Sequence, residues 1–211
     1  MNDYRRDGLA IVISGPSGSG KGTVVNLLRE LYPEAELSVS ATSRAIRPNE
    51  TEGVTYHYLT KEAFEKLIGD GAVLEYACYD GNYYGTPKEP VDRALAEGRD
   101  MILEIEVQGA GQVREKLAGQ VVSIMLLAPS GAEQERRLRE RNTESEERIL
   151  SRIRKAREEI RHASEYDYIV VNETGRAKEC AEEILAIIRA EHVRAARMKR
   201  YVHDYFEDDE I

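Results

Sequence analysis

Leu9-Ala10-Ile11-Val12-Ile13-Ser14-Gly15-Pro16-Ser17-Gly18-Ser19-Gly20-Lys21-Gly22-Thr23 is the stretch that decides how this chain folds. An apolar run of strand length enters a turn with glycines at 15, 18 and 20, and a helical pattern starts at Lys21. Glycine lets the backbone curl until successive N–H groups point inward, and a helix N-terminus adds its positive dipole end. Such a cup fits a polyphosphate. Lys21 supplies a point charge for the outer phosphates, and a hydroxyl just behind it can face magnesium. The Ser or Thr that ordinarily follows the lysine is Gly22 here, and the hydroxyl comes one place later at Thr23. Strand, spacing, lysine and helix all agree, which separates this segment from a glycine turn that merely joins two elements.

Outward from the loop, β-rich apolar runs at 9–14, 101–107, 121–127 and 168–171 alternate with helical patterns near 21–31, 87–97, 109–117, 131–141, 145–163 and 176–202. Residues 37–40 offer a further strand. Strands separated by helices pair in parallel through right-handed crossovers. The expected fold is α/β, a P-loop three-layer architecture whose helix-covered parallel sheet has about five strands. Residues 41–86, rich in Tyr, Thr and Gly, break the alternation and read as a mixed insertion, while the charged span 131–150 reads as a helical lid. The expected division is therefore 1–40 core with the phosphate loop, 41–86 insertion, 87–130 core, 131–150 lid, and 151–211 core with a C-terminal helix. Two flaps on a core suit an enzyme that closes over its substrates to exclude water.

At 211 residues the chain can bury a full core. Its net charge of −9 argues against a nucleic-acid surface, so phosphate binding must come from local arginines. Met1 to Gly8 is polar and the longest apolar stretches are strand-length, so neither a leader nor a membrane span is expected, and the cytoplasm is the expected compartment. Cys78 and Cys180 lack metal-ligand spacing and read as reduced thiols; His57, His162, His192 and His203 are scattered. The acidic end, Asp204 to Glu210, reads as a solvated tail.

A phosphate loop alone does not identify a reaction. The insertion carries Ser38-Val39-Ser40-Ala41-Thr42-Ser43-Arg44-Ala45-Ile46-Arg47, then Glu50-Thr51-Glu52-Gly53-Val54-Thr55-Tyr56-His57-Tyr58, Glu75 and Gly81-Asn82-Tyr83-Tyr84-Gly85-Thr86. This combination resembles the guanylate kinase family over nearly the whole chain, and the shifted Gly-Lys-Gly-Thr loop is a variant seen in nucleoside monophosphate kinases. The resemblance implies that Arg44, Arg47, Tyr56 and Tyr84 hold the phosphate of GMP. Planar guanidinium groups offer paired donors to phosphate oxygens, and phenol hydroxyls add neutral ones.

Guanine presents donors at N1 and the 2-amino group beside acceptors at O6 and N7. A carboxylate facing the donors and hydroxyls facing O6 match it, and the resemblance gives these roles to Glu75, Glu104, Ser40 and Thr86. Glu75 lies within the apolar stretch Ala72-Val73-Leu74-Glu75-Tyr76, where a buried carboxylate needs a partner. In Leu103-Glu104-Ile105-Glu106-Val107 the family more often has Asp at the two acidic places. The alternation puts Glu104 and Glu106 on one face near a strand's C-terminal end, without apportioning base reading and an approach to magnesium between them.

Arg137 and Arg141 sit four apart, as do Arg148 and Arg152, so each pair shares a helix face. The stretch Arg137-Leu138-Arg139-Glu140-Arg141-Asn142-Thr143-Glu144 looks like the family's lid, and Arg137, Arg141 and Arg152 match arginines that reach the ATP phosphates. Arg136, Arg139 and Arg154 read instead as solvated partners of glutamates, and Asn142 to Glu147 includes a cap-like start for the next helix. Asn172 matches a position near the adenine of ATP. The ATP site implied is thus Gly15, Pro16, Ser17, Gly18, Ser19, Gly20, Lys21, Gly22, Thr23, Arg137, Arg141 and Asn172, with Lys21, Arg44, Arg137, Arg141 and Arg152 as the catalytic set and Thr23 toward Mg2+. The implied reaction is ATP plus GMP, with dGMP as a second acceptor, giving ADP and the diphosphate. An acceptor phosphate is already largely ionised at neutral pH, so no side-chain base is required. GMP and ATP are the expected partners, without nucleic acid, membrane or an obligate protein. An adenylate kinase shares Gly-Lys-Gly-Thr but not the guanine set. A non-catalytic scaffold domain would have an eroded loop, and a GTP switch would carry Asn-Lys-x-Asp.

Overall fold

The computed structural model describes residues 7–79, 81–140 and 145–205. In chain order the elements begin β1 (Ala10–Ser14), α1 (Lys21–Leu31), β2 (Glu36–Leu37), β3 (Ala41–Thr42), β4 (His57–Tyr58), α2 (Lys61–Gly69), β5 (Val73–Tyr79), β6 (Asn82–Pro87) and α3 (Lys88–Ala96). They continue β7 (Met101–Glu104), α4 (Val107–Lys116), β8 (Val121–Leu127), α5 (Gly131–Glu140), α6 (Glu146–Ile160), β9 (Tyr168–Val171), α7 (Ala177–His192) and α8 (Lys199–Asp204).

Every residue of β1 is buried, which a strand tolerates only at the centre of a sheet covered on both faces. The main sheet has the order β2-β7-β1-β8-β9 and all its pairs are parallel. Ile11 and Ile13 point into a core shared with Val24 and Leu28 of α1 and Ile184 and Ile188 of α7. Ala10 and Val12 point the other way, against Val91 and Leu95 of α3 and Ala110 and Val113 of α4. The α/β architecture with a parallel, helix-covered sheet is thus the one expected. A second, mixed sheet of order β4-β3-β6-β5 stands beside it, closed over Phe64 of α2.

Three of the boundaries that differ from the expectation have a visible cause in the packing. The edge strand is Glu36–Leu37 rather than 37–40, because beyond Leu37 the Ser38 N–H still bonds Ile102 O (2.9 Å), but by Ser40 the chain has passed to the second sheet, where its carbonyl accepts the His57 N–H. The run 101–107 stops as a strand at Glu104; Glu106 is already the N-cap of α4, its carbonyl accepting from Gly109 and Ala110. The helix expected over 176–202 ends at His192. Arg197 then folds back, donating to the carbonyl of Val121 (2.9 Å) and to Glu191 (3.0 Å), and α8 starts beyond it.

Candidate active site

The glycine loop leaves β1 at the C-terminal edge of the parallel sheet, where open α/β sheets bind ligands. Gly18 (φ 89°) and Gly20 (φ 90°) occupy the left-handed region that other residues avoid. At Gly20 a Cβ would also stand 2.3 Å from Asn172 Nδ2. Lys21 Nζ donates to the carbonyl of Gly15 at 2.8 Å, so the ammonium is folded over the loop it opens from. Thr23 is exposed on the first turn of α1.

Helix α5 leans on this loop. Gln134 Nε2 donates to Ser17 O at 2.7 Å, and Arg137 reaches Ser19 O (3.5 Å), Asn172 O (2.9 Å) and Thr174 Oγ1 (3.2 Å). Glu133 holds Arg137 Nε at 2.8 Å and accepts Thr174 Oγ1 at 2.6 Å; Arg136 first, then Thr174 and Arg137, pull its carboxyl far below the usual range. Buried Asn172 donates its side-chain amide to Ser19 O at 2.8 Å, so it braces the loop from β9. Arg136 and Arg139 pair with Glu133, Glu140, Glu135 and Glu146, and Arg154 bonds the Leu150 carbonyl. Arg141, Asn142, Thr143 and Glu144 lie outside the described residues, and the N-cap of α6 is Ser145, which makes no side-chain capping bond.

Across the cleft, the second sheet gathers the other set. Ser40 precedes β3 and its carbonyl accepts the His57 N–H at 2.9 Å. Tyr56 packs edge-on against Tyr84, ring centroids 6.0 Å apart, and the Arg44 guanidinium lies 5.7 Å from the Tyr56 ring. Arg44 is bound by Glu50 through two hydrogen bonds, and Arg47 is exposed on the same loop.

Glu75 is 5 % exposed, and its Oε1 accepts the Thr86 hydroxyl at 2.8 Å. Burial pushes its carboxyl up to about 7, the Thr86 bonds and Lys116 only partly offsetting this. Its other oxygen approaches the first turn of α4 so closely that a Cβ on Gly109 would stand 2.2 Å from it. Gly109→Ala is therefore expected to push the carboxylate out of place and lower kcat/KM for GMP by about tenfold, the scale of a lost charged hydrogen bond. Steady-state kinetics with ATP varied separately check that the loss is confined to the acceptor.

Glu104 and Glu106 do not share a strand face, since the strand ends between them. Both side chains are exposed, although many protein atoms surround their carboxyls. Burial raises Glu104 despite the opposing charge of Lys21. Glu106 faces the same burial but is held low by Lys21, Lys155 and Arg152, with Lys155 Nζ 3.2 Å away. Lys21 acts on both carboxylates; Glu106 in turn raises Glu104 and Glu75, and Glu104 lies near Tyr56 and Gly22. The Thr23 hydroxyl and Glu104 carboxylate are hard oxygen donors, and among the described residues no cluster of three His, Cys, Asp or Glu side chains is set to hold a metal. That sparse oxygen set fits Mg2+, which keeps waters and substrate phosphates as its other ligands.

Residues 7–191 match the family model described as guanylate kinase. The chain belongs to the guanylate kinase family. It is 50 % identical to a guanylate kinase of Lactococcus lactis over 200 residues, covering 94 % of this chain and 96 % of that one. Against a guanylate kinase of Oceanobacillus iheyensis the identity is 44 % over 204 residues, with 97 % and 98 % covered. The crystal structure of guanylate kinase from Anaplasma phagocytophilum superposes with a TM-score of 0.78 at 33 % identity, covering 97 % of this chain and 96 % of that one. Within this family member, Glu133, Gln134, Thr174 and Gly109 shape the site without having been legible from residue type. Gln134 had one signal, an uncharged side chain in a helix otherwise crowded with charges.

Proposed function

We propose that this guanylate kinase transfers the terminal phosphoryl group of ATP to GMP by holding two polyanions in line between its glycine loop and its second sheet. The observation that carries the acceptor assignment is the buried Glu75–Thr86 pair across from the loop. An ionised Glu75 accepts from guanine N1–H and the 2-amino group, while adenine offers a lone pair at N1 and is repelled. Glu106, beside Glu75, adds a second acceptor on that edge. Glu104 lies toward the phosphates, the Ser40 hydroxyl faces O6, and the Thr86 hydroxyl, which donates to Glu75, turns from it to reach O6 when GMP binds. Arg44, Arg47, Tyr56 and Tyr84 take the GMP phosphate.

On the donor side the loop N–H groups and Lys21 cradle ATP, Asn172 approaches the adenine end, and Arg137, Arg141 and Arg152 close over the phosphates. Thr23 and Glu104 would hold Mg2+ with the nucleotide; when bound, the ion neutralises charge on the phosphate oxygens. The acceptor oxygen is already anionic, so the residues supply position and charge rather than a proton transfer. Residues 41–86 act as the acceptor flap and 131–150 as the lid that excludes water. Among the described residues no helix is long and apolar enough to cross a membrane, and two free cysteines suit the reducing cytoplasm.

A coupled ADP assay with GMP, AMP, CMP and UMP tests the reading, GMP being favoured in kcat/KM by about a hundredfold or more. Comparable turnover of AMP defeats it. Arg137→Ala is expected to lower kcat by about tenfold or more while leaving KM for GMP within about twofold, because a lid contact strengthens at the transition state. Wild-type kcat in that variant returns Arg137 to bracing the loop alone.

A further inference from the structure

Glu50 collects more donors than a loop carboxylate ordinarily does. Its Oε1 accepts Arg44 Nη2 at 2.9 Å; its Oε2 accepts Arg44 Nη1 at 3.1 Å, the Arg47 backbone N–H at 2.8 Å and the Tyr58 hydroxyl at 2.8 Å. The two side chains are 12 % and 17 % exposed, so the pair is largely screened from water. Chiefly through the Arg44 guanidinium, the carboxyl is held down to about 2, which keeps it ionised at neutral pH.

The consequence lies in what Arg44 has left. A guanidinium carries five N–H donors in a rigid plane. Arg44 commits its two terminal nitrogens end-on to Glu50, and Nη1 also donates to Ala45 O at 2.6 Å. What remains is the side edge, Nε–H and the second Nη2–H. Nε is buried and has no partner within the protein. A buried donor without an acceptor is rare in native structures and marks a place for one. Tyr84 stands close enough to act on the same guanidinium, and Tyr56 packs against both.

We propose that Glu50 is a positioning residue for the acceptor nucleotide: by locking Arg44 end-on, it turns the side edge of the guanidinium into a preformed fork for the two oxygens of a phosphate monoester. The inference rests on the reading that Arg44 binds the GMP phosphate. A fork fixed before binding loses little side-chain freedom on binding, and a guanidinium matches phosphate through two parallel bonds. The backbone bond from Arg47 and the hydroxyl bond from Tyr58 hold the carboxylate itself, so the chain of constraint runs from β4 through Glu50 to Arg44.

Glu50→Gln keeps the size of the side chain while replacing one acceptor oxygen with an amide that repels Arg44. Calorimetric titration with GMP, inhibition by guanosine, and steady-state kinetics with ATP separate a phosphate effect from a general one. Expected are GMP binding weakened by about tenfold or more, the scale of a lost charge-assisted bond, and guanosine inhibition and KM for ATP within about twofold of wild type. Glu50→Asp, which keeps the charge on a shorter arm, should fall between wild type and Glu50→Gln. Unchanged or tighter GMP binding in Glu50→Gln overturns the proposal, tighter binding meaning that the carboxylate competes with phosphate for Arg44. Equal weakening of guanosine and GMP also overturns it, since that is the mark of a merely structural role. Arg44→Met, run alongside, keeps the two claims apart: if it binds GMP as tightly as wild type, the phosphate role of Arg44 fails, whatever Glu50 does.

Discussion

Lys21→Ala is expected to lower kcat by about a hundredfold or more, the cost of removing a charge aimed at the group in flight. Phosphoryl transfer leaves little covalent work to the protein, so positioning and charge supply most of the rate. Lys21 is the cation that the loop itself presents, held at 2.8 Å from the Gly15 carbonyl and close enough to influence Glu104 and Glu106 at the end of the neighbouring strand. The loop's N–H groups remain in the variant, so ATP binding should fall less than turnover. ADP formation at saturating ATP and GMP measures the effect, with a thermal melt to confirm the fold. Turnover within a few-fold of wild type would remove Lys21 from the chemistry.

Glu75→Ala should cost about tenfold to a hundredfold in kcat/KM for GMP, the range set by charged hydrogen bonds lost in a buried site. Its residual turnover of AMP should change much less. A pH profile adds a second signature. Burial lifts the Glu75 carboxyl to about 7 in the folded protein, against the opposing pull of Thr86 and Lys116 and with the like charge of Glu106 nearby. The ionised form is the one that accepts from guanine, so kcat/KM for GMP should climb as pH rises through 7 and decline as the group protonates below it. GMP's own phosphate titrates near pH 6. Subtracting the profile of Glu75→Gln isolates the carboxyl. A variant that loses GMP and AMP activity in proportion would make Glu75 a structural residue.

The strand, glycine turn and helix around Lys21 are local: φ-permissive glycines, one lysine and an apolar run specify the phosphate cup whatever else the chain does. Alternating apolar runs similarly determine a covered parallel sheet, because a strand buried on both faces has no other stable place. Tertiary packing decided the rest. The pattern Glu104-Ile105-Glu106 looks like a strand, but the strand stops at Glu104 and Glu106 caps α4, so only the packed structure takes the two carboxylates off a common strand face. Gly109 carries no signal by itself; its role exists because Glu75, from the second sheet, needs the volume a side chain on α4 would fill. Gln134 and Asn172, 38 residues apart in numbering, meet at the same glycine loop through carbonyls of Ser17 and Ser19. Sequence spells the groups that can bind phosphate and guanine; which oxygen faces which nitrogen is settled by long-range packing, where each contact joins elements that no local pattern relates.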